Sequence, residues 1–254
     1  KTFYAQKRQL DPKNVVSVSI MPCTAKKFEA NRPEMRSSGY KDVDYVLTTR
    51  ELGIMIKQAG LEFDGLPEEK FDSFMGASTG AAVIFGTTGG VMEAALRTVY
   101  EVVTGREVPF DGLNIVPVRG TEGEVREATI HIEKVKPEWS FLEGVDLQCV
   151  VANGLANAKK VMQNVKEGKA NYHFIEIMAC PGGCLGGGGQ PIPTNKEIRS
   201  KRKSAIYQED MGMPIRKSHE NPDVASIYQE FLEKPLGHKS HELLHTHYTP
   251  RKRY

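Results

Sequence analysis

Short β-branched runs alternate along the chain with amphipathic stretches. Asn14 to Ile20 (NVVSVSI) and Val43 to Leu47 (VDYVL) read as strands. Past the second, Thr48 and Glu51 stand at capping-box spacing before LGIMIKQAG, which predicts a strand, a turn and a helix. Between Thr79 and Gly105 an apolar stretch is broken at Gly89 and Gly90, and Val91 to Arg97 resumes with helical periodicity. The paired glycines predict a helix that starts close against another backbone or a ligand. Further strands are predicted over Asn114 to Val118, Val125 to Ile132, Leu147 to Ala152 and His173 to Met178, with a helix over Leu155 to Val165. Asn221 to Lys234 reads as an amphipathic helix with Asn221 as its cap and Pro222 at the first helical position, where a missing N–H costs nothing. Strands alternating with helices predict an α/β fold, a parallel or mixed sheet flanked by helices, with ligands gathered beyond the carboxyl ends of the strands.

Two of those ends carry thiols. The first strand breaks into MPCTAK, which places Cys23 just past it. The last runs into ACPGGCLGGGGQP, where Cys180 and Cys184 are four residues apart and eight of thirteen positions are Gly or Pro. Two thiols on a turn and a third from another strand end suit an iron-sulfur cluster better than zinc, because no further Cys or His sits at zinc-knuckle spacing. The glycines are expected to keep side chains out of the cluster's volume. A phosphate-binding loop would lead into a helix, which Gln190-Pro191-Ile192-Pro193 blocks. Cys149, within LQCVV, reads as a small hydrophobe in a buried strand. That leaves a four-cysteine cubane one ligand short.

Composition narrows the field of partners. With 254 residues and 39% hydrophobic content the chain can pack a core, and 34 Lys plus Arg against 32 Asp plus Glu give no field to steer it to nucleic acid or acidic lipid. The basic clusters Arg199 to Lys203 and Arg251 to Arg253 read as solvated faces or tails. No window approaches the apolar length of a membrane span and no signal-peptide pattern opens the chain, so the cytoplasm is the expected location. Four cysteines are too few for a disulfide scaffold. The opening KTFYAQK reads like the middle of an uncapped helix, so the chain reads as the later part of something longer.

The stretch from Met21 to Glu29 resembles the MPCxxKxxE motif of [FeFe]-hydrogenases, and Glu176 to Pro191 resembles their ExMxCxxGCxxGGGxP motif. The resemblance continues through TTREL, GASTGAAVIFG, TGGVMEAALR, RKSHEN and the tail. It implies one lobe of the iron hydrogenase H-cluster domain over residues 1–200, and a small-subunit-like helical tail over 201–254. It also implies a [4Fe-4S] cubane joined to a diiron subcluster carrying CO, cyanide and a bridging azadithiolate, with Cys23, Cys180 and Cys184 as cubane ligands and Cys184 as the shared sulfur. Lys26 would donate to a cyanide, Met21 and Met178 would flank the diiron unit, and Phe85 with Gly86 would form pocket wall. Glu29 would play a supporting hydrogen-bonding or charge role.

The family's third motif, TSCCPxW, supplies the fourth cubane cysteine and the proton-passing cysteine, and nothing in this chain resembles it. An upstream segment or another chain is therefore expected to carry it. The activity implied is reversible reduction of protons to H2 with electrons from ferredoxin or NAD(P)-linked subunits. The alternative is a non-catalytic relative, an iron-sulfur redox sensor or assembly factor holding a cubane alone.

Overall fold

The computed structural model describes residues 1–72, 74–109 and 124–251, so the strand expected over Asn114 to Val118 lies outside the described residues. The chain forms two compact units. One comprises Lys1–Met75, Gly188–Pro191 and Pro222–Tyr254, and the other Gly76–Gly187 and Ile192–Asn221.

The first unit opens with α1 (Phe3–Arg8), β1 (Val18–Met21), α2 (Ala25–Glu29), β2 (Tyr45–Thr48) and α3 (Thr49–Gln58). The first strand starts later than NVVSVSI suggests, because Asp11 accepts the Lys13 N–H and turns Pro12–Asn14 into a 3-10 helix. β1 and β2 pair in parallel, with Met21 opposite Thr48. The expected capping box is formed: Thr48 accepts the Glu51 N–H while Glu51 accepts the Thr48 N–H at 2.8 Å. Lys27 donates to Glu51 at 3.0 Å. That bond, with the hydrogen bonds from Thr48, holds the Glu51 carboxyl down to about 2.

The second unit holds α4 (Gly80–Ile84), α5 (Gly90–Thr104), β3 (Val125–His131), β4 (Asp146–Asn153), α6 (Leu155–Lys166), β5 (Phe174–Met178) and α7 (Lys196–Gly212). Here the sheet is mixed: β3 runs antiparallel to β4, which runs parallel to β5. On one face of the sheet Met92, Leu96 and Val103 pack against Ala128, Ile130, Cys149 and Val151. On the other, Val150 and Ala152 pack against Ala158 and Val161. Burial on both faces explains why β4 reads as a continuous apolar run rather than an alternating one.

The glycine pair behaves as its pattern suggests. Gly89 takes a φ of +92°, and a Cβ on Gly90 would lie 1.8 Å from the Ile84 carbonyl oxygen, so α5 starts against another backbone.

A buried ion network ties α5 to α7. Arg97, fully buried, donates to both Asp210 oxygens at 2.7 and 2.8 Å and to Glu93 at 2.6 Å. Arg216 adds a 2.6 Å bond to Asp210. Burial pushes the Asp210 carboxyl up, but the hydrogen bonds and charges of Arg97 and Arg216 outweigh it and hold it below the usual carboxylate range.

The remaining α- and π-helices belong to the first unit. They are α8 (Pro222–Ile227), a π-helical turn over Tyr228–Leu232, and α9 (His238–Leu244). The helix expected over Asn221 to Lys234 is therefore a short α-helix that widens into a π turn. The tail beyond α9 lies on α2 and the turns past its end: Arg32 donates to the His247 carbonyl and stacks 4.6 Å from the Tyr248 ring, Thr249 donates to Glu34, and Arg251 lies 4.7 Å from the Phe28 ring. Among the described residues no helix is long and apolar enough to cross a membrane.

Candidate metal centre

In the first unit, β1 ends at Met21, and Cys23 stands just beyond it, half-buried, before α2 begins. Pro22 is held from behind, since its carbonyl accepts the Gly189 N–H at 3.0 Å and the Gly189 carbonyl accepts the Arg50 N–H at 3.1 Å. A Cβ on Gly189 would lie 2.9 Å from both the Pro22 carbonyl carbon and Thr48 Cβ. Met21 and Lys26 line one cavity of about 160 Å³, together with Glu29 and Met35. Lys26 Nζ meets Glu29 Oε2 at 2.6 Å, three residues along α2, with both side chains about a third exposed or more. Glu29 thus engages Lys26 directly.

In the second unit, β5 ends at Met178 and the chain turns through Cys180 to Cys184, where a 3-10 turn spans Cys184–Gly186. Asn153, the last residue of β4 and fully buried, sits in register with Met178. Its Nδ2 donates to the Met178 carbonyl at 3.1 Å and the Cys180 carbonyl at 2.7 Å, and its Oδ1 accepts the Gly182 N–H at 3.1 Å. Thr88 N–H donates to the Gly182 carbonyl, and Leu185 N–H to the Gly86 carbonyl, both at 3.0 Å. Arg202, on α7, donates to the Leu185 carbonyl at 2.8 Å. The basic run Arg199 to Lys203 is therefore not a wholly solvated face; one of its arginines holds the cysteine turn. Phe85, half-exposed at 45%, ends α4 beside Gly86. Met178 Sδ would lie 2.8 Å from a Cβ on Gly183.

The glycines here answer to the protein first. A Cβ on Gly183 would meet Thr88 N at 2.7 Å, and one on Gly186 the Pro181 carbonyl oxygen at 1.9 Å. Sequence pattern alone assigned that space to an inorganic group; at these positions the chain's own backbone fills it.

Glu176, two residues before Met178, is buried and accepts the N–H groups of Gly89 at 2.5 Å and Met92 at 2.8 Å at the start of α5. Burial pushes its carboxyl up in spite of these bonds. Sequence reasoning passed over Asn153, Thr88 and Arg202. The only available signal was an Asn-Gly pair closing an apolar strand, and that signal reads as a turn.

Cys23, Cys180 and Cys184 are half-buried thiols outside any disulfide. Cys149 is a thiol too, but it is 1% exposed, packed in the core and pushed up in pKa by burial. Cys23 in the first unit, and Cys180 with Cys184 in the second, each present half-buried soft donors of the kind that ligates iron-sulfur clusters, whereas Cys149 is sealed in the core. Glu101, His219 and Glu220 also bring ligand atoms within 4.8 Å of one another, but Lys217 Nζ lies 2.7 Å from Glu101 and 2.8 Å from Glu220. An ammonium already occupies the place a cation would take.

Comparison with known proteins identifies the family. Residues 1–188 match the family described as iron only hydrogenase large subunit, C-terminal domain, and residues 196–251 match iron hydrogenase small subunit. The chain is 48% identical over 257 residues to the NADP-reducing hydrogenase subunit HndD of Solidesulfovibrio fructosivorans, covering 100% of this chain and 41% of that protein. It is 53% identical over 208 residues to the periplasmic [Fe] hydrogenase large subunit of Nitratidesulfovibrio vulgaris, covering 82% of this chain and 46% of that protein. The chain thus spans less than half the length of these relatives. A more distant one, the cytosolic Fe-S cluster assembly factor narfl of Xenopus tropicalis, is 29% identical over 255 residues, covering 98% of this chain and 50% of that protein. An apo [FeFe]-hydrogenase HydA1 variant from Chlamydomonas reinhardtii superposes with a TM-score of 0.79 at 44% identity, covering 97% of this chain and 66% of that one. The family match over residues 1–188, the shared mixed α/β fold and the thiols on both motif loops converge: the chain belongs to the iron-only, or [FeFe], hydrogenase family of iron-sulfur oxidoreductases.

Proposed function

We propose that this chain is the carboxyl-terminal catalytic region of an [FeFe]-hydrogenase that reversibly reduces protons to H2. The observation that carries the reading is three half-buried thiols outside any disulfide, Cys23, Cys180 and Cys184, on the two loops where the family's motifs fall. In this reading Cys23, Cys180 and Cys184 would ligate a [4Fe-4S] cubane, and the Cys184 thiolate would also serve a diiron unit carrying CO, cyanide and azadithiolate. That cluster, when bound, supplies the electron transfer and the bond-making to hydrogen.

The protein's own residues bind and shape. Met21 and Met178 would offer flexible apolar walls, Phe85 would form pocket wall, and Lys26 would donate an ammonium N–H to an anionic ligand. Its ammonium pairs with Glu29 at 2.6 Å and has further N–H groups to offer for that role. The fourth cysteine and the proton path belong to an upstream segment or another chain. Residues 1–200 then form the lobe of the H-cluster domain and 201–254 a small-subunit-like tail.

Electrons come from ferredoxin or an NAD(P)-linked subunit; the likeness to an NADP-reducing hydrogenase subunit supports the second. A cytoplasmic location is part of the proposal, and cell fractionation tests it against a periplasmic one, since a relative is named periplasmic.

The likeness to a cytosolic assembly factor supports a second reading, a cubane without a diiron unit. Infrared spectroscopy separates the two. The full-length protein with its native partner chains, matured anaerobically, is expected to show sharp bands of metal-bound CO and cyanide. Iron and sulfide without those bands would overturn the hydrogenase reading in favour of the assembly or sensor one. Absence of iron would overturn both.

A further inference from the structure

We propose that Asn153 is a positioning residue, which sets the Cys180–Cys184 loop in its cluster-receiving shape before any iron arrives. This rests on the reading that Cys180 and Cys184 ligate a cluster.

A carboxamide has two N–H donors and an acceptor oxygen, and Asn153 spends both donors and its oxygen on one five-residue stretch, Met178 to Gly182. Two carbonyls and one N–H converge on it, so the partners themselves dictate which end is nitrogen. At 0% exposure this amide has no water to fall back on, and burying it unpaired would cost more than its bonds return. The loop's own polar groups depend on it unequally: without Asn153, Met178 keeps a bond from Gly154 N–H and Cys180 one from Gly183 N–H, but Gly182 N–H loses its acceptor.

Asn153 is itself fixed. Its N–H donates to Glu124 at 2.9 Å, its carbonyl accepts from Asn157 of α6 at 2.9 Å, and strand register places it beside Met178. The side chain is therefore a rigid template rather than a follower of the loop. It acts on the ligands through the backbone. A trans peptide points its C=O and N–H opposite ways, so turning the Met178 carbonyl onto Asn153 turns the Ala179 N–H away from it. Backbone N–H direction around thiolate ligands is one of the things that set a cluster's potential.

Two substitutions separate shape from charge. Asn153→Ala removes the template. Asn153→Asp keeps its size but presents an oxygen to carbonyls that now receive N–H groups. The test uses the full-length protein with its partner chains.

In metal-free wild type, the Gly182 amide is expected to exchange slowly with deuterium, and Asn153→Ala to bring it close to the unfolded-chain rate. After anaerobic reconstitution with iron and sulfide, both variants should lose iron to a chelator about 10- to 100-fold faster than wild type, the usual range for removing an outer-shell partner. The midpoint potential and electron paramagnetic resonance spectrum of whatever cubane remains should also shift.

If wild type takes up no iron, the ligand assignment falls and the positioning role with it. If wild type holds a cubane and both variants match it in retention, potential and spectrum, the positioning role alone is overturned. Should both variants fail to fold, the wild-type exchange decides: an unprotected Gly182 amide in metal-free protein overturns the inference, and a protected one upholds it.

Discussion

Cys180 and Cys184 stand on a turn whose amides and carbonyls are taken up by Asn153, Thr88, Gly86 and Arg202, backed by a sheet packed on both faces. Cys23 stands after a four-residue strand in a two-stranded sheet, before a five-residue helix whose Thr24 makes no side-chain cap. Among the described residues, the three buried apolar clusters all lie in the unit that carries Cys180 and Cys184. Among the described residues, the unit that carries Cys23 contributes Ala5, Ala30 and Leu232 to the buried apolar residues, and it adds half-exposed ties such as Lys27 to Glu51 and Lys7 to Glu230. Two strands and short helices of this kind are marginal by themselves. The contrast teaches that one pair of thiols stands on a turn braced by its own core, while the third thiol rests on a polar, lightly packed frame.

The strongest way to break the contrast is to attack the fully buried charge cluster that ties α5 to α7. Arg97→Met leaves Asp210 and Glu93 buried with less compensation, and is expected to destabilise the second unit by about 3–5 kcal/mol. Urea unfolding followed by the fluorescence of Trp139, which packs on that unit's core, reads this out. A loss below about 1 kcal/mol, the scale of a surface pair, would mean the network is not what holds α5 to α7. The pH dependence has a definite sign. Because the folded Asp210 carboxyl is depressed, its contribution is present above the unfolded-chain value of about 3.9 and is lost as pH falls through its folded value.

A matched pair of glycine substitutions sharpens the comparison at the loops themselves. Gly186→Ala would drive a Cβ to 1.9 Å from the Pro181 carbonyl oxygen, whereas Gly189→Ala would place one at 2.9 Å from Pro22 and Thr48. Overpacking costs of about 1–3 kcal/mol are expected, Gly186 the greater, with iron retention falling further for Gly186→Ala. Equal effects would remove the claim that the Cys180–Cys184 loop is the more tightly determined of the two.

Much of this was readable in advance, for physical reasons that differ by element. β4, β5, α6 and the Thr48–Glu51 box follow from local pattern, since apolar runs and caps are decided within a few residues. The three thiols stood out as candidates by residue type and loop setting, and the structure places them half-buried outside any disulfide. Asn153 did not, because its partners lie 25 to 29 residues away and its Asn-Gly setting imitates a turn. Arg97 and Asp210, separated by 113 residues, look in sequence like any two surface charges. The space beside Gly186 was misassigned for a related reason: a glycine run reports that something approaches closely, but not whether it is a ligand or the chain itself.

The smallest expected effect on stability falls on the lightly packed side, at Lys26 and Glu29. Their ion pair is partly exposed on α2, so Lys26→Met and Glu29→Gln should each change unfolding free energy by no more than about 0.5 kcal/mol. Their effects on function should diverge. If Lys26 serves an anionic ligand, Lys26→Met abolishes H2 turnover in the matured enzyme with the fold intact, while Glu29→Gln frees the ammonium from its carboxylate partner and leaves turnover within a few-fold. The reverse pattern, with Glu29→Gln inactive and Lys26→Met active, would make Glu29 the working group and Lys26 its counter-ion. The Lys26–Glu29 contact at 2.6 Å allows either assignment, and this pair of turnover measurements with matched unfolding curves decides between them.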